Sequence, residues 1–177
     1  SEREAFEAGM RQTRGPDFRI WQVGAGGEPD TAPTGAREVY YPIVYFYPEE
    51  GNEAVLGFDH GSEARRRVAA ETARDSRLPT ATEPIHLVHD QTGGNSIIVC
   101  YPIFSLREPE RLRGFTTVML RLDKVFNIGR EQHHLMPLEL SYLPLRSPAR
   151  TLCSVGNAEE GFDDLRLTRP ICEYGRV

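Results

Sequence analysis

A chain of 177 residues, 39% apolar and 27% charged, is long enough for one full core or two small stacked lobes, and too apolar to stay disordered. Its net charge of -5 argues against a nucleic-acid partner, because phosphate binding needs clustered cations. No stretch reaches the roughly twenty apolar residues that cross a bilayer.

The chain opens on Ser1-Glu2-Arg3-Glu4, with no Met and no signal peptide, so it reads as a piece of a longer protein. Residues 2 to 14 follow a helical pattern with Ala5, Phe6, Gly9 and Met10 on one stripe, and Gly15-Pro16 stops it. Phe18 to Val23 reads as a strand, followed by a Gly/Pro-rich loop through Gly35. Arg37 to Tyr47 reads as an aromatic strand ended by Pro48 and the turn Gly51-Asn52, with a short helical turn at Glu53 to Leu56.

Ser62 is the expected N-cap of a helix from Glu63 to Asp75, with Ala64, Val68, Ala69 and Thr72 facing inward. The basic run Arg65-Arg66-Arg67 then reads as a solvated face. Ile85 to Val88 is a short apolar strand, and Gly93-Gly94-Asn95 turns into a strand from Ser96 to Phe104. Gly114 to Leu122 is the next strand and Leu122 to Ile128 looks helical. Leu138 to Leu145, Arg150 to Ser154 and Leu165 to Tyr174 look like further strands. The order describes an α+β layout, an antiparallel sheet with a helix on one side.

Motifs for catalysis are scarce. There is no phosphate loop, no H-E-x-x-H and no nucleophile elbow, so no catalytic residue, cofactor or metal is expected. His133-His134 on an extended segment, like His86 and His89, point to opposite sides and do not suit one metal. Cys100 lies in an apolar run and reads as a buried thiol, while Cys153 and Cys172 lie in two candidate strands and leave a disulfide open.

Asp59, between Phe58 and His60 after the aromatic strand, has two readings. It caps the helix that begins near Glu63, or it is the polar anchor of an apolar pocket that takes hydrogen bonds from a ligand amine or imino group.

"YYPIVYFYP", then "GFDHGSEARRRVAAETARDSRLPTATEPIHLV", then "IIVCYPIF" and "LRGFTTVMLRLDKVF" together resemble a CHASE domain. That is the extracytoplasmic sensory module of bacterial histidine kinases and diguanylate cyclases, and of plant cytokinin receptors. The shared order is a strand ending in Pro-x-x-aromatic, a small-x-Asp turn and an Arg- and Ala-rich helix. A Thr-x-Pro connector, a strand ending in x-Pro-aliphatic-aromatic and a Gly-led strand follow, from about Tyr40 to Phe126. The tail "LRLTRPICEYGRV" is similar to the family's last membrane-proximal strand.

The resemblance implies two stacked PAS-like antiparallel lobes beside an N-terminal stalk helix. Residues 1–15 would be the end of the stalk, 16–122 the membrane-distal ligand-binding lobe, and 123–177 a smaller membrane-proximal lobe. It also implies a ligand site built from Asp59, Tyr45, Thr82, Leu87, Tyr101 and Gly114. "GFD" departs from the plant pattern, which has a Ser-containing turn, and the aromatic load of residues 40–47 is heavier. Both argue for a ligand smaller than, or shaped differently from, an adenine derivative. The expected partner is an unidentified small molecule, within a receptor that dimerises and is anchored in the inner membrane through flanking segments. The sensor would face the periplasm or cell exterior. A ligand-free dimerisation or interaction module of the same fold is the alternative.

Overall fold

A computed structural model of the chain describes residues 2–24, 29–31, 37–86, 95–125, 127, 138–142 and 148–155. The chain is α+β with antiparallel sheets, and it divides into two compact units, Ser1–Arg67 and Val68–Val177.

In the first unit, helix α1 (Glu2–Arg14) forms as expected but presents a different face. The inward residue is Glu7, buried between Arg3 and Arg11 one turn away on either side, at 3.1 Å each. The expected stripe of Ala5, Phe6 and Gly9 is largely exposed. The reason is the backbone that α1 must satisfy. Phe18 to Ile20 does not form a ladder, so its polar groups turn to α1. Glu7 Oε1 accepts the Ile20 N–H at 3.0 Å, Arg3 donates to the Ile20 carbonyl at 2.7 Å, and Arg11 donates to the Phe18 carbonyl at 3.2 Å. A buried backbone group without a partner is costly, and three charged side chains meet the need here. Phe18 and Ile20 themselves are buried.

Of the expected first strand, Gln22–Val23 (β1) pairs antiparallel to Pro29–Asp30 (β2), and Trp21 makes an isolated parallel bridge with Phe58. The aromatic stretch from Arg37 to Tyr47 is not a strand. It runs beside residues 57–60 with Ile43 N–H donating to the Phe58 carbonyl, Gly57 N–H to the Ile43 carbonyl and His60 N–H to the Tyr41 carbonyl. Its single bridge is Pro42 with Asp59. The bonds on either side of that bridge come from Ile43 and His60, so Pro42 sits at a non-hydrogen-bonded position where its missing N–H is not needed for pairing. The predicted turn at Glu53 to Leu56 is a 3₁₀ turn, Glu53–Val55.

Helix α2 (Ala64–Ser76) crosses the boundary between the units. Its cap is Glu63, whose carboxylate accepts the Arg66 N–H at 3.0 Å, rather than Ser62. Its buried residues are Arg66, Ala69, Ala70 and Ala73, while Val68 is 49% exposed and Ala64 and Thr72 are exposed. The basic run is therefore a solvated face only in part: Arg65 is exposed, whereas buried Arg66 lies over the Phe58 ring, 5.1 Å from its centroid.

In the second unit, Asn95–Phe104 (β5) is central. Thr80–Ala81 (β3) and Ile85–His86 (β4) pair with one of its edges, and Leu112–Arg121 (β6) pairs along the other. Ile85, Ile98, Val99 and Cys100 are buried there, the last as a thiol outside any disulfide. Residues 122–125 are helical, and Leu138–Tyr142 (β7) pairs with Arg150–Val155 (β8). Asn95 ties this hairpin to β5, donating to the Leu152 carbonyl at 2.8 Å and accepting from Arg150 at 2.7 Å. The Gly93-Gly94 turn and the Leu165 to Tyr174 strand lie outside the described residues. Among the described residues no helix is long and apolar enough to cross a membrane.

Glu7 makes a direct prediction. Glu7→Ala strips the acceptor from two guanidinium groups and a backbone N–H. It should cost about 2 to 3 kcal/mol, short of a fully buried pair because Arg11 is a third exposed. Phe6→Ala, at a ring 41% exposed but edge-on to buried Phe18, should cost less, about 1 to 2 kcal/mol. Urea unfolding midpoints of the two variants check the order.

Candidate functional site

Residues 57–60 lie between two other segments. On one side the Gly57 carbonyl accepts the Trp21 N–H at 3.0 Å and the Asp59 N–H donates to the Trp21 carbonyl at 2.7 Å; on the other lies the Tyr41 to Ile43 backbone. Gly57 permits this crossing. Its φ is +79°, and a Cβ there would lie 2.0 Å from the Arg19 carbonyl oxygen, so no side chain fits. The Trp21 indole N–H donates to the Leu56 carbonyl at 2.8 Å, and its ring packs at 4.9 Å against Phe58.

Asp59 sits at the centre of this junction and is 1% exposed. Its Oδ1 accepts two backbone N–H groups, from Tyr41 at 2.8 Å and Gly61 at 3.0 Å. The first fixes the Tyr41 backbone beside the bridge between Pro42 and Asp59. The second caps a 3₁₀ turn, His60–Ser62. Of the two readings of Asp59, the capping role is therefore present, but on this turn and not on α2. Its Oδ2 lies 2.7 Å from Nη2 of Arg37 in an ion pair, and no hydrogen bond is directed at it. Arg37 Nη2 donates instead to Oε1 of Gln22 at 2.7 Å.

A small recess of about 10 Å³, room for roughly one water, adjoins this pair. Asp59, Arg37, Arg3, Tyr40, Gln22, Trp21 and Asp30 help to line it. Tyr40 lies between Arg3 and Arg37, each guanidinium carbon 5.3 Å from its ring centroid, and its hydroxyl accepts the Arg37 backbone N–H at 3.2 Å. At Gly61 a Cβ would come within 2.9 Å of the Tyr41 ring.

The other expected site residues lie elsewhere. Tyr45 is 74% exposed, its ring 3.7 Å from the Arg14 guanidinium carbon, and it does not line the recess. Thr82, Tyr101 and Gly114 belong to the second unit. Thr82 is buried just past β3, with its backbone N–H on the Ile98 carbonyl and its hydroxyl accepting the Ile98 N–H. Tyr101 pairs with Thr116 and Gly114 with Ile103, which places Tyr101 and Gly114 on one sheet face and Thr82, across from Ile98, on the other. Leu87, His89 and His133-His134 lie outside the described residues, as does Cys172. Sequence reasoning missed Arg3, Arg37 and Glu7. The Arg3-Glu7-Arg11 spacing of four residues was a readable signal for two of them; nothing in the spacing of Arg37 marks it.

His60, next to Asp59, is buried, and that burial, followed by the Arg66 charge, pushes its pKa down to about 4 against the opposing pull of Glu63. The unfolded chain, near 6.5, then binds the proton more readily than the folded one. Stability is full above about pH 6.5 and falls as the pH drops toward 4. Between pH 7 and pH 5, above the carboxylate range, the loss should be about 2 kcal/mol. Denaturant titrations across that window check it, and His60→Gln should flatten the slope. Gly57→Ala should cost at least ~3 kcal/mol through its backbone clash, read by the same titrations at pH 7.

A family model, the CHASE domain, matches residues 1–150. No curated protein matches the chain.

Proposed function

Because the chain belongs to the CHASE domain family, whose members are non-catalytic extracytoplasmic sensory domains of signalling receptors, we propose that it is the small-molecule-binding input domain of such a receptor. Asp59 anchors the ligand. Arg3 carries the reading: this one residue lines the Asp59 recess and belongs to α1, where it is bonded to Glu7. A ligand that reorders Arg3 therefore acts directly on α1, which serves as the end of a stalk helix. The ligand shifts signalling only by preferring one of two pre-existing arrangements of that helix.

The remaining parts of the reading follow from family membership. The lobes are PAS-like, with residues 16–122 distal and 123–177 proximal. Tyr45, Thr82, Leu87, Tyr101 and Gly114 are further candidate contacts by family position alone, and among them Tyr45 does not line the recess and Thr82 faces away from Tyr101 and Gly114. The parent receptor is a homodimeric histidine kinase or diguanylate cyclase anchored in the inner membrane on either side of this domain.

A second reading has an observation of its own. Asp59 is occupied by two backbone bonds and one ion pair, which is what a purely structural carboxylate in a ligand-free interaction module would show.

Thermal shift against amine, purine and carboxylate libraries separates the two. Asp59→Asn keeps an oxygen for Tyr41 and Gly61, so the variant should fold. A ligand that raises the Tm of the native chain by several degrees, and loses that effect in Asp59→Asn, is the expected outcome. No stabilising compound across all three libraries would favour the interaction module.

A further inference from the structure

Residues 41–46 of the first unit leave one edge of their backbone open. Tyr41 and Ile43 turn their groups to residues 57–60: the Tyr41 carbonyl accepts the His60 N–H, and Ile43 bonds to Phe58 and Gly57. In an extended chain, alternate residues direct their N–H and C=O to opposite edges. Pro42, Val44 and Phe46 therefore direct theirs outward. Among the described residues, neither Pro42 nor any of residues 44–47 makes a backbone hydrogen bond. The open edge consists of the Pro42 carbonyl and an N–H and a carbonyl on each of Val44 and Phe46. Pro42 brings no donor and Pro48 follows closely, so the edge admits a few rungs and no long ladder.

The side chains beside it suit contact with another chain. Tyr45 is 74% exposed and Tyr47 96%, and exposed rings of this kind are enriched at interfaces. The charge around them has one sign. Residues 38–63 contain no Lys or Arg, and Glu38, Glu49, Glu50 and Glu53 are exposed. The surface already holds one guanidinium: Arg14 reaches in from α1, 3.7 Å from the Tyr45 ring centroid and 3.9 Å from the Glu49 carboxylate. Among the described residues Glu38, Glu50 and Glu53 enter no ion pair, so the rim keeps a net negative charge.

That charge selects the occupant. A second copy pairing antiparallel about Val44 would bring Glu38 of each chain toward Glu50 of the other, and a parallel copy would align each acid with itself. Like charges opposite one another across a strand pair are destabilising. A segment bearing Lys or Arg meets the opposite sign.

We propose that the outer edge of residues 42–46 is a strand-addition site for an extended, basic peptide segment of another protein. Val44 and Phe46 supply backbone rungs, Tyr45 and Tyr47 supply aromatic contact, and Glu38 and Glu50 pair with the cations. The inference does not depend on the Asp59 recess taking a ligand.

The test titrates the isotope-labelled full chain at pH 7 with three blocked peptides. These are acetyl-Lys-Val-Lys-Val-Lys-amide, its Glu-Val-Glu-Val-Glu counterpart, and the Lys peptide methylated at all its backbone amides. The Lys peptide should give saturable shifts and slow amide exchange at Val44 and Phe46, about ten-fold at saturation, with little change at Tyr45, whose groups face the other edge. The Glu peptide should bind about ten-fold more weakly, or worse. The methylated peptide, which keeps its charges and loses its donors, should not protect either amide. Glu38→Gln with Glu50→Gln should weaken the Lys peptide several-fold. The methylated peptide binding as tightly as its parent would overturn the proposal, since charge alone would then hold it. Equal binding of the Glu peptide, or silence of both amides with the Lys peptide, would do the same. Concentration-dependent protection of Val44 and Phe46 with no peptide present would assign the edge to a second copy instead and would also overturn it.

Discussion

One buried carboxylate holds three chain segments of the first unit in place. The backbone around Asp59 bonds to Trp21 on one side, and its Oδ1 bonds to Tyr41 on the other. The same oxygen closes the turn that leads toward α2. None of these segments is a regular strand at the point of crossing; backbone bonds join each outer segment to residues 57–60, and the Asp59 carboxylate adds the bonds to Tyr41 and Gly61. The Tyr41 N–H finds its acceptor in the side-chain oxygen of Asp59 instead of in a strand carbonyl. Gly57 and Gly61 are the steric conditions for the arrangement, each lying where a Cβ would meet other atoms at under 3 Å.

That economy leaves an uneven distribution of bonds on one side chain. Oδ1 is fully used for structure, while Oδ2 faces Arg37 and a small opening. A carboxylate divided in this way can serve the fold and a ligand together, because the two duties fall on different oxygens. It also explains why the same residue supports both the sensing and the interaction-module readings. The distinction lies in whether anything reaches the second oxygen.

Much of the second unit is legible in the sequence. Ser96 to Phe104 and Gly114 to Leu122 are long, rich in β-branched residues and separated by turn signals, and they form β5 and β6 to within two residues at each end. The first unit is harder to read because polar bonds override apolar patterning there. Phe6 looks like the inward residue of α1, yet the helix turns Glu7 inward to satisfy the backbone of Phe18 to Ile20. The tyrosine-rich stretch has the composition of a strand, yet its backbone bonds to residues 57–60 end at Ile43. In α2, Val68 draws attention as the largest apolar residue, but three alanines allow closer packing and are the ones fully buried. Asp59 is conspicuous by position, whereas its partner Arg37 follows a Gly/Pro-rich loop and carries no pattern. A long-range ion pair of this kind has no local signature.

The Arg3-Glu7-Arg11 row has one more mechanical meaning. An apolar stripe tolerates gliding, since one methyl contact replaces another with little penalty. Directional bonds to the fixed carbonyls of Phe18 and Ile20 and to one N–H do not. A quarter-turn of α1, or a slide by a single residue, breaks the whole row at once. The helix is therefore indexed like a key in a lock, with discrete seats in place of a continuous track. Any movement it transmits arrives as a step.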